Sequence, residues 1–241
     1  MFKKAASTLI ATALVLMAAE KPASTFDEQV RAYLLEHPEV ILESIQQYQA
    51  KQNAAKEEKA REAVTAQLEK LERDTTSPEA GNKDGVTVVE FFDYRCGYCK
   101  KVRPTITGLL ASNPNVRVVY KELPILGPDS MTASKAALAA HKQGGYAKFH
   151  DALLATSEPI SVELAQRLAV ELGLDPARLA ADMQSPEIDA VLAANRELAE
   201  SLNVQATPTF VVGSQVVPGA VDLAKLESMV AQANKVQTAS R

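Results

Sequence analysis

The chain has 241 residues, 46% apolar and 23% charged, with 10 Gly and 12 Pro. This content supports one or two packed domains and excludes a disordered, collagen-like or low-complexity chain. The balance of 26 basic against 30 acidic residues, net −4, argues against a nucleic-acid partner.

Lys3 and Lys4 form a short basic segment, and Ala5 to Ala19 follow without a charge. That stretch is too short for a transmembrane span of about 20 residues and has the make-up of a secretory signal peptide over residues 1–19. Cleavage near Ala18 or Ala19 would start the mature chain near Glu20 and place it in an oxidising compartment, a bacterial periplasm. The competing reading is an uncleaved membrane anchor.

Residues 20–78 contain no Gly and no Cys and hold 8 Lys/Arg against 12 Asp/Glu. Phe26, Val30, Tyr33 and Leu34 recur at helical spacing. Pro38 sits where a second helix begins, and Val40, Ile41, Leu42, Ile45 and Tyr48 continue an apolar stripe. The stripe fades over the charged run Lys51 to Glu62 and returns briefly at Val64, Leu68 and Leu71. Thr75 to Pro78 read as a linker. So narrow a stripe must be buried against something. A sister chain, through residues 20–50, is favoured over the chain's own second domain, with the charged run as a spacer.

Residues 79–241 read as an α/β domain. Val86 to Phe92 is a β-branched and aromatic run, hence a buried strand. A helix is expected from Gly97 to Leu110 and a second strand from Val116 to Tyr120. A helical stretch follows over about 125–203, broken by Gly144-Gly145, Pro159, Gly173, Pro176 and Pro186. Val204 to Val212 and Gln215 to Val217 pair about Gly213-Ser214, and Asp222 caps a last helix. The first two strands are expected to be parallel and the last two a hairpin.

The chemistry is concentrated at Cys96-Gly97-Tyr98-Cys99, directly after the first strand. A C-x₂-C pair is half a zinc site, but there is no further Cys, and His37, His141 and His150 lack ligand spacing. No metal or cofactor is therefore expected. A redox role has a physical basis. The thiolate is the attacking form, and Cys96 sits where a helix N-terminus favours negative charge. Arg95, Lys100, Lys101 and Arg103 add positive charge nearby. Cys99, one turn on, is placed to resolve a mixed disulfide, and Gly97 lets a substrate backbone come close.

Glu90-Phe91-Phe92-Asp93-Tyr94-Arg95-Cys96-Gly97-Tyr98-Cys99-Lys100 resembles the active-site segment of the periplasmic DsbA-like thioredoxin-fold proteins. Thr207-Pro208-Thr209-Phe210 resembles their cis-proline loop. The resemblance covers residues 79–236 and implies a thioredoxin core with a helical insertion. It implies that Thr207 and Pro208 face Cys96 and receive the substrate strand. It also puts Glu90 in the position of the family's acidic residue beneath the cysteine pair, where it would either move a proton to or from Cys99 or form a salt bridge with no kinetic role. Lys121, on the second strand, is expected to pair with Glu90, since a buried carboxylate needs a partner or a proton. Leu34-Leu35-Glu36-His37-Pro38-Glu39-Val40 and the arm resemble the N-terminal oligomerisation region of the suppressor-of-copper-sensitivity C proteins, some of which are trimers.

These resemblances imply a periplasmic disulfide isomerase or reductase whose partners are disulfide-containing secreted clients and a membrane thiol reductase. They also imply a homo-oligomer, a trimer rather than a dimer, and the family name points to copper tolerance. The alternatives are a dithiol oxidase on the same fold and a protein binding Cu(I) through its two thiolates.

Overall fold

The computed structural model describes residues 25–239; the expected signal peptide and its cleavage site lie outside them. The chain divides into two compact units between Gln52 and Asn53. In the first, α1 (Phe26–Glu36) opens on a capping box. The Thr25 hydroxyl accepts from the Glu28 amide, and the Glu28 carboxylate accepts from the Thr25 amide, so two otherwise orphaned donors are satisfied. Helix α2 (Glu39–Ala66) begins immediately after Pro38, whose carbonyl accepts from the Ile41 and Leu42 amides. No side chain of α1 is buried, and Phe26, Tyr33, Leu35, Leu42 and Tyr48 are each more than half exposed.

The second unit is built on five strands. After α3 (Leu68–Glu72) come β1 (Glu79–Gly81), β2 (Val86–Phe92), α4 (Gly97–Ser112) and β3 (Val116–Glu122). Five helices follow: α5 (Pro128–Lys142), α6 (Tyr146–Ala155), α7 (Val162–Glu171), α8 (Pro176–Asp182) and α9 (Pro186–Ser201). The chain then returns through β4 (Thr209–Val212), β5 (Gln215–Pro218) and α10 (Leu223–Ala239). The sheet order is β1-β3-β2-β4-β5. β2 and β3 are parallel, joined by α4, and every other pairing is antiparallel. β2 is buried along its whole length, as its apolar and β-branched run, interrupted only by Glu90, fits for a central strand covered on both faces. β1 was not anticipated: three residues carry too little alternation to register as a strand.

Strand parity sorts the core. Val86, Val88 and Phe92 of β2, with Val116, Val118 and Tyr120 of β3, face α4, α5, α6 and α10. Val89, Phe91 and Val119 face the other way, onto Leu198, Ala199 and Leu202 of the α9 segment and onto Val64 and Leu71. The last two correct the arm boundary. The sequence reading ends the arm at residue 78, whereas Val64 and Leu71 are each 1% exposed and form part of the sheet's second face. A truncation at Pro78 would therefore strip core residues from the catalytic unit.

The same parity overturns the expected Glu90–Lys121 pair. Glu90 stands opposite Tyr120 in the register, and Lys121 stands opposite Phe91, so the two side chains leave the sheet on opposite faces. Lys121, 1% exposed, instead donates to Asp74 Oδ2 at 2.7 Å and Ser77 Oγ at 2.8 Å. Burial pulls the Lys121 pKa down, against the Asp74 charge. Asp74 also accepts from the Thr76 amide and from the Thr76 and Ser77 hydroxyls. Burial opposes its ionisation, but these bonds and the ammonium hold its carboxyl well below the usual range. The pair ties the segment before β1 to the back of the sheet. Breaking one side leaves a buried charge alone, so Asp74→Ala should cost about 3 kcal/mol in urea unfolding. Combining it with Lys121→Met should recover most of that loss.

Candidate active site

The site forms where α4 starts, past the carboxyl end of β2. Cys96 is the N-cap of α4, with φ −71° and ψ 116°, so its sulfur lies at the helix end whose N–H groups lack intrahelical partners. Two loops fix this point. On one side, Asp93 Oδ1 accepts from the Arg95 amide at 2.8 Å, and Oδ2 accepts from the Ile125 and Leu126 amides at 2.9 and 3.0 Å. Arg95 Nη1 donates to the Leu126 carbonyl at 3.1 Å, and the Cys96 amide donates to the Asp93 carbonyl at 3.0 Å. On the other side, the Thr207–Pro208 peptide is cis. The Pro208 carbonyl accepts from the Gly219 amide at 2.7 Å, and the Thr209 hydroxyl donates to the Ala206 carbonyl at 2.7 Å. The Cys96 thiol donates to the Thr207 carbonyl at 3.1 Å.

The two thiols are therefore unlike. Cys96 is 8% exposed and Cys99 fully buried. Partial burial works against a Cys96 thiolate, but the Thr207 side chain, the Cys99 amide and thiol, and the Tyr98 amide outweigh it and hold its pKa below the ordinary thiol value. Burial pushes the Cys99 thiol far up, and the charges of Glu90 and Cys96 push the same way. The basic side chains are engaged elsewhere. Lys100 donates to the Thr156 carbonyl at 2.6 Å, Arg103 pairs with Asp151 at 2.6 Å, and Lys101 sits over the Tyr98 ring at 5.3 Å. The depressed Cys96 pKa thus has its source in short-range hydrogen bonds, first from Thr207 of the proline loop and then from the start of α4. The side of Gly97 that a Cβ would occupy is open.

Of the residues singled out in the sequence, Cys96, Gly97, Tyr98, Cys99, Thr207 and Pro208 come together here. Glu90 lies beneath them on the same sheet face, and its carboxyl is pushed up to about 8 by burial, then by the charges of Glu122 and Cys96. Lys121 is not part of the site. The sequence reading missed Asp93, the clamp on the active-site loop, and a fully buried cluster around Glu122. Tyr94 and Tyr146 each donate to Glu122 Oε1 at 2.9 Å, and Ser134 donates to Oε2 at 2.8 Å. Burial raises the Glu122 pKa to about 8, level with Glu90, even though these three hydroxyls pull against it. No spacing in the sequence links residues 94, 122, 134 and 146; only an acidic residue closing an apolar strand hinted at the cluster.

Residues 87–231 match the family model of the DsbA-like thioredoxin domain. The chain belongs to that family, and is of the thiol-disulfide oxidoreductase class. Residues 24–55 match a second model, the N-terminal domain of the copper resistance protein ScsC. A thioredoxin-like oxidoreductase from Silicibacter pomeroyi is 45% identical, with a TM-score of 0.67, over 69% of this chain and 97% of that one. A linker-deletion variant of Proteus mirabilis ScsC is 26% identical, with a TM-score of 0.68, over 90% of this chain and 99% of that one. A periplasmic thioredoxin-like protein from Salmonella enterica serovar Typhimurium is 28% identical, with a TM-score of 0.63, over 69% and 94%. Among curated proteins, a sodium/proton antiporter NhaA from Salinispora tropica is 32% identical over 150 residues. The chain spans only 23% of that protein's length. Among the described residues no helix is long and apolar enough to cross a membrane.

The raised Glu90 pKa has a thermodynamic signature. An unfolded glutamate loses its proton near 4.5, whereas the folded chain keeps this one to about 8. Between those values the unfolded state binds fewer protons, so stability falls as pH rises. Glu90→Gln should therefore gain stability relative to the parent from pH 4.5 to 8 and no further above it, as read by urea unfolding at a series of pH values.

Proposed function

We propose that this protein is a periplasmic protein disulfide isomerase or reductase, with Cys96 as nucleophile and Cys99 as resolving thiol. The observation that carries the assignment of roles is the contrast between the two sulfurs. Cys96 reaches solvent at a helix N-cap with its thiolate favoured, and Cys99 lies buried with its thiolate disfavoured. The Cys96 thiolate attacks one sulfur of a client disulfide, and the other client sulfur leaves as a thiolate. A second client thiolate then displaces Cys96, which rearranges the client without net redox change. Alternatively Cys99 loses its proton and attacks Cys96, which leaves a reduced client and a Cys96–Cys99 disulfide. A membrane thiol reductase would return the latter to dithiol. Tyr98, Ile125, Leu126 and Met131 are exposed apolar side chains on and around the active-site loops, a surface suited to an unfolded protein chain rather than a small charged thiol.

The isomerase reading rests further on the arm. Val30, Ile41, Ile45 and Tyr48 are exposed apolar side chains of the arm. Burying such side chains between copies is worth roughly 1.5–3 kcal/mol each. The ScsC N-terminal match falls on these residues and supports a homo-oligomer; in this reading it is a trimer rather than a dimer and presents several active sites to one client. The likeness to a periplasmic protein and the segment over residues 1–19 support export through a cleaved signal peptide.

The test keeps the whole chain. Ile41→Asp combined with Ile45→Asp should yield monomers by light scattering, retain reduction of a simple disulfide substrate, and lose reactivation of a scrambled multi-disulfide client. A parent protein that is already monomeric would remove the oligomer, and a monomeric variant that still reactivates the client would separate the arm from isomerisation.

A further inference from the structure

Glu122 closes β3 one residue after Lys121 and is fully buried on the active-site face. Its carboxyl receives hydroxyls from three elements: Tyr94 of the active-site loop, Ser134 of α5 and Tyr146 of α6. Tyr94 Oη also lies 3.0 Å from His150 Nδ1. With Nδ1 protonated, that N–H donates to the Tyr94 oxygen and leaves the Tyr94 proton for Glu122. All the donors then run one way, toward Glu122, and this favours its ionised form over that of Glu90, although burial raises both carboxyls to about 8. Among the described residues no comparable set of hydroxyls converges on Glu90. What acts there is burial and the like charges of Glu122 and Cys96. Two neighbouring buried carboxyls do not both ionise readily.

We propose that Glu122 is a positioning residue for the redox pair: it takes the one negative charge the buried Glu90–Glu122 pair readily holds, and so keeps on Glu90 the proton that Cys99 receives when the Cys96–Cys99 disulfide opens. The step balances as follows. One thiolate of a dithiol reductant attacks Cys96 Sγ, and the electron pair of the breaking S–S bond passes to Cys99. Glu90 transfers its carboxyl proton to that buried thiolate. The second thiolate of the reductant then attacks its own sulfur in the mixed disulfide, releasing the Cys96 thiolate and the oxidised reductant. Glu90 regains a proton from solvent. Around this pair stand Cys96 and Cys99 from α4, Asp93 and Tyr94 from the loop, Tyr120 from β3, and Tyr146 and His150 from α6. Asp151 acts on Tyr120, and Asp151 and Arg103 act on His150. Burial brings the His150 pKa down to about 3, so the ring is neutral and supplies a hydrogen bond rather than a charge.

The inference rests on the exchange chemistry proposed above, and the test separates the two. In the full chain labelled with ¹³C-carboxyl glutamate, Glu90→Gln and Glu122→Gln assign the buried resonances. Glu90 should be the last buried glutamate to ionise, and Glu122→Gln should move its titration at least one pH unit lower. Reduction by dithiothreitol at pH 7, per thiolate, should then slow about twofold for a one-unit shift and about tenfold for a two-unit shift, because that share of Glu90 has lost its proton. Tyr146→Phe, which removes one donor and keeps the ring, should shift Glu90 the same way by a smaller step, and it decides the matter if Glu122→Gln does not fold. An unmoved Glu90 titration, or Glu122 as the last to ionise, would overturn the proposal. Loss of exchange in the parent with the titrations as expected would overturn only the exchange chemistry.

Discussion

The start of α4 is clamped between two loops, and the chemistry of this molecule follows from that clamp. Asp93 gathers the Arg95, Ile125 and Leu126 amides and sets where the helix begins. Thr207 approaches from the far side and meets the Cys96 sulfur. With the N-cap fixed, Cys96 sits at the positive end of the helix, and Cys99, three residues later, falls beneath it into the core. Two identical side chains thereby acquire opposite acidities. A slack clamp would let the sulfur leave the helix N-terminus and would erase the difference, since the effect of a helix end decays within one turn.

The sheet beneath the clamp separates two electrostatic tasks by a single step along β3. Lys121 points to the back, where it holds Asp74 and the segment leading into β1. Glu122 points to the front, among Tyr94, Tyr146 and Ser134. Neighbours in sequence, they are kept apart by the alternation of the strand. The back-side pair is structural and nearly self-contained. The front-side cluster reaches the active-site loop through Tyr94, so the groups that steady the loop are also those that set charge beneath the cysteines.

The active-site segment was legible because its signals are local. Val86 to Phe92 is a buried strand in pattern and in fact, and α4 begins at Gly97 as the cysteine spacing requires. The two motifs at 96–99 and 207–208 meet in space, as the family resemblance implied. What could not be read depends on register. Glu90 and Lys121 look like a pair by charge and burial, but pairing Glu90 with Tyr120 rather than Lys121 puts them on opposite faces. The end of the arm was misplaced for a related reason: Val64 and Leu71 resemble the preceding stripe by period, and only packing reveals that they belong to the sheet. The Glu122 cluster draws its members from four separated segments, and periodicity within any one of them carries no trace of the others.

The central claim is that the two cysteines have distinct roles set by the clamp. It is tested most directly by mixed-disulfide capture with a disulfide-containing client on non-reducing gels. The account expects Cys99→Ala to accumulate the covalent complex, because Cys96 can attack and nothing can resolve it, and Cys96→Ala to capture almost none. Equal capture by both variants would contradict it.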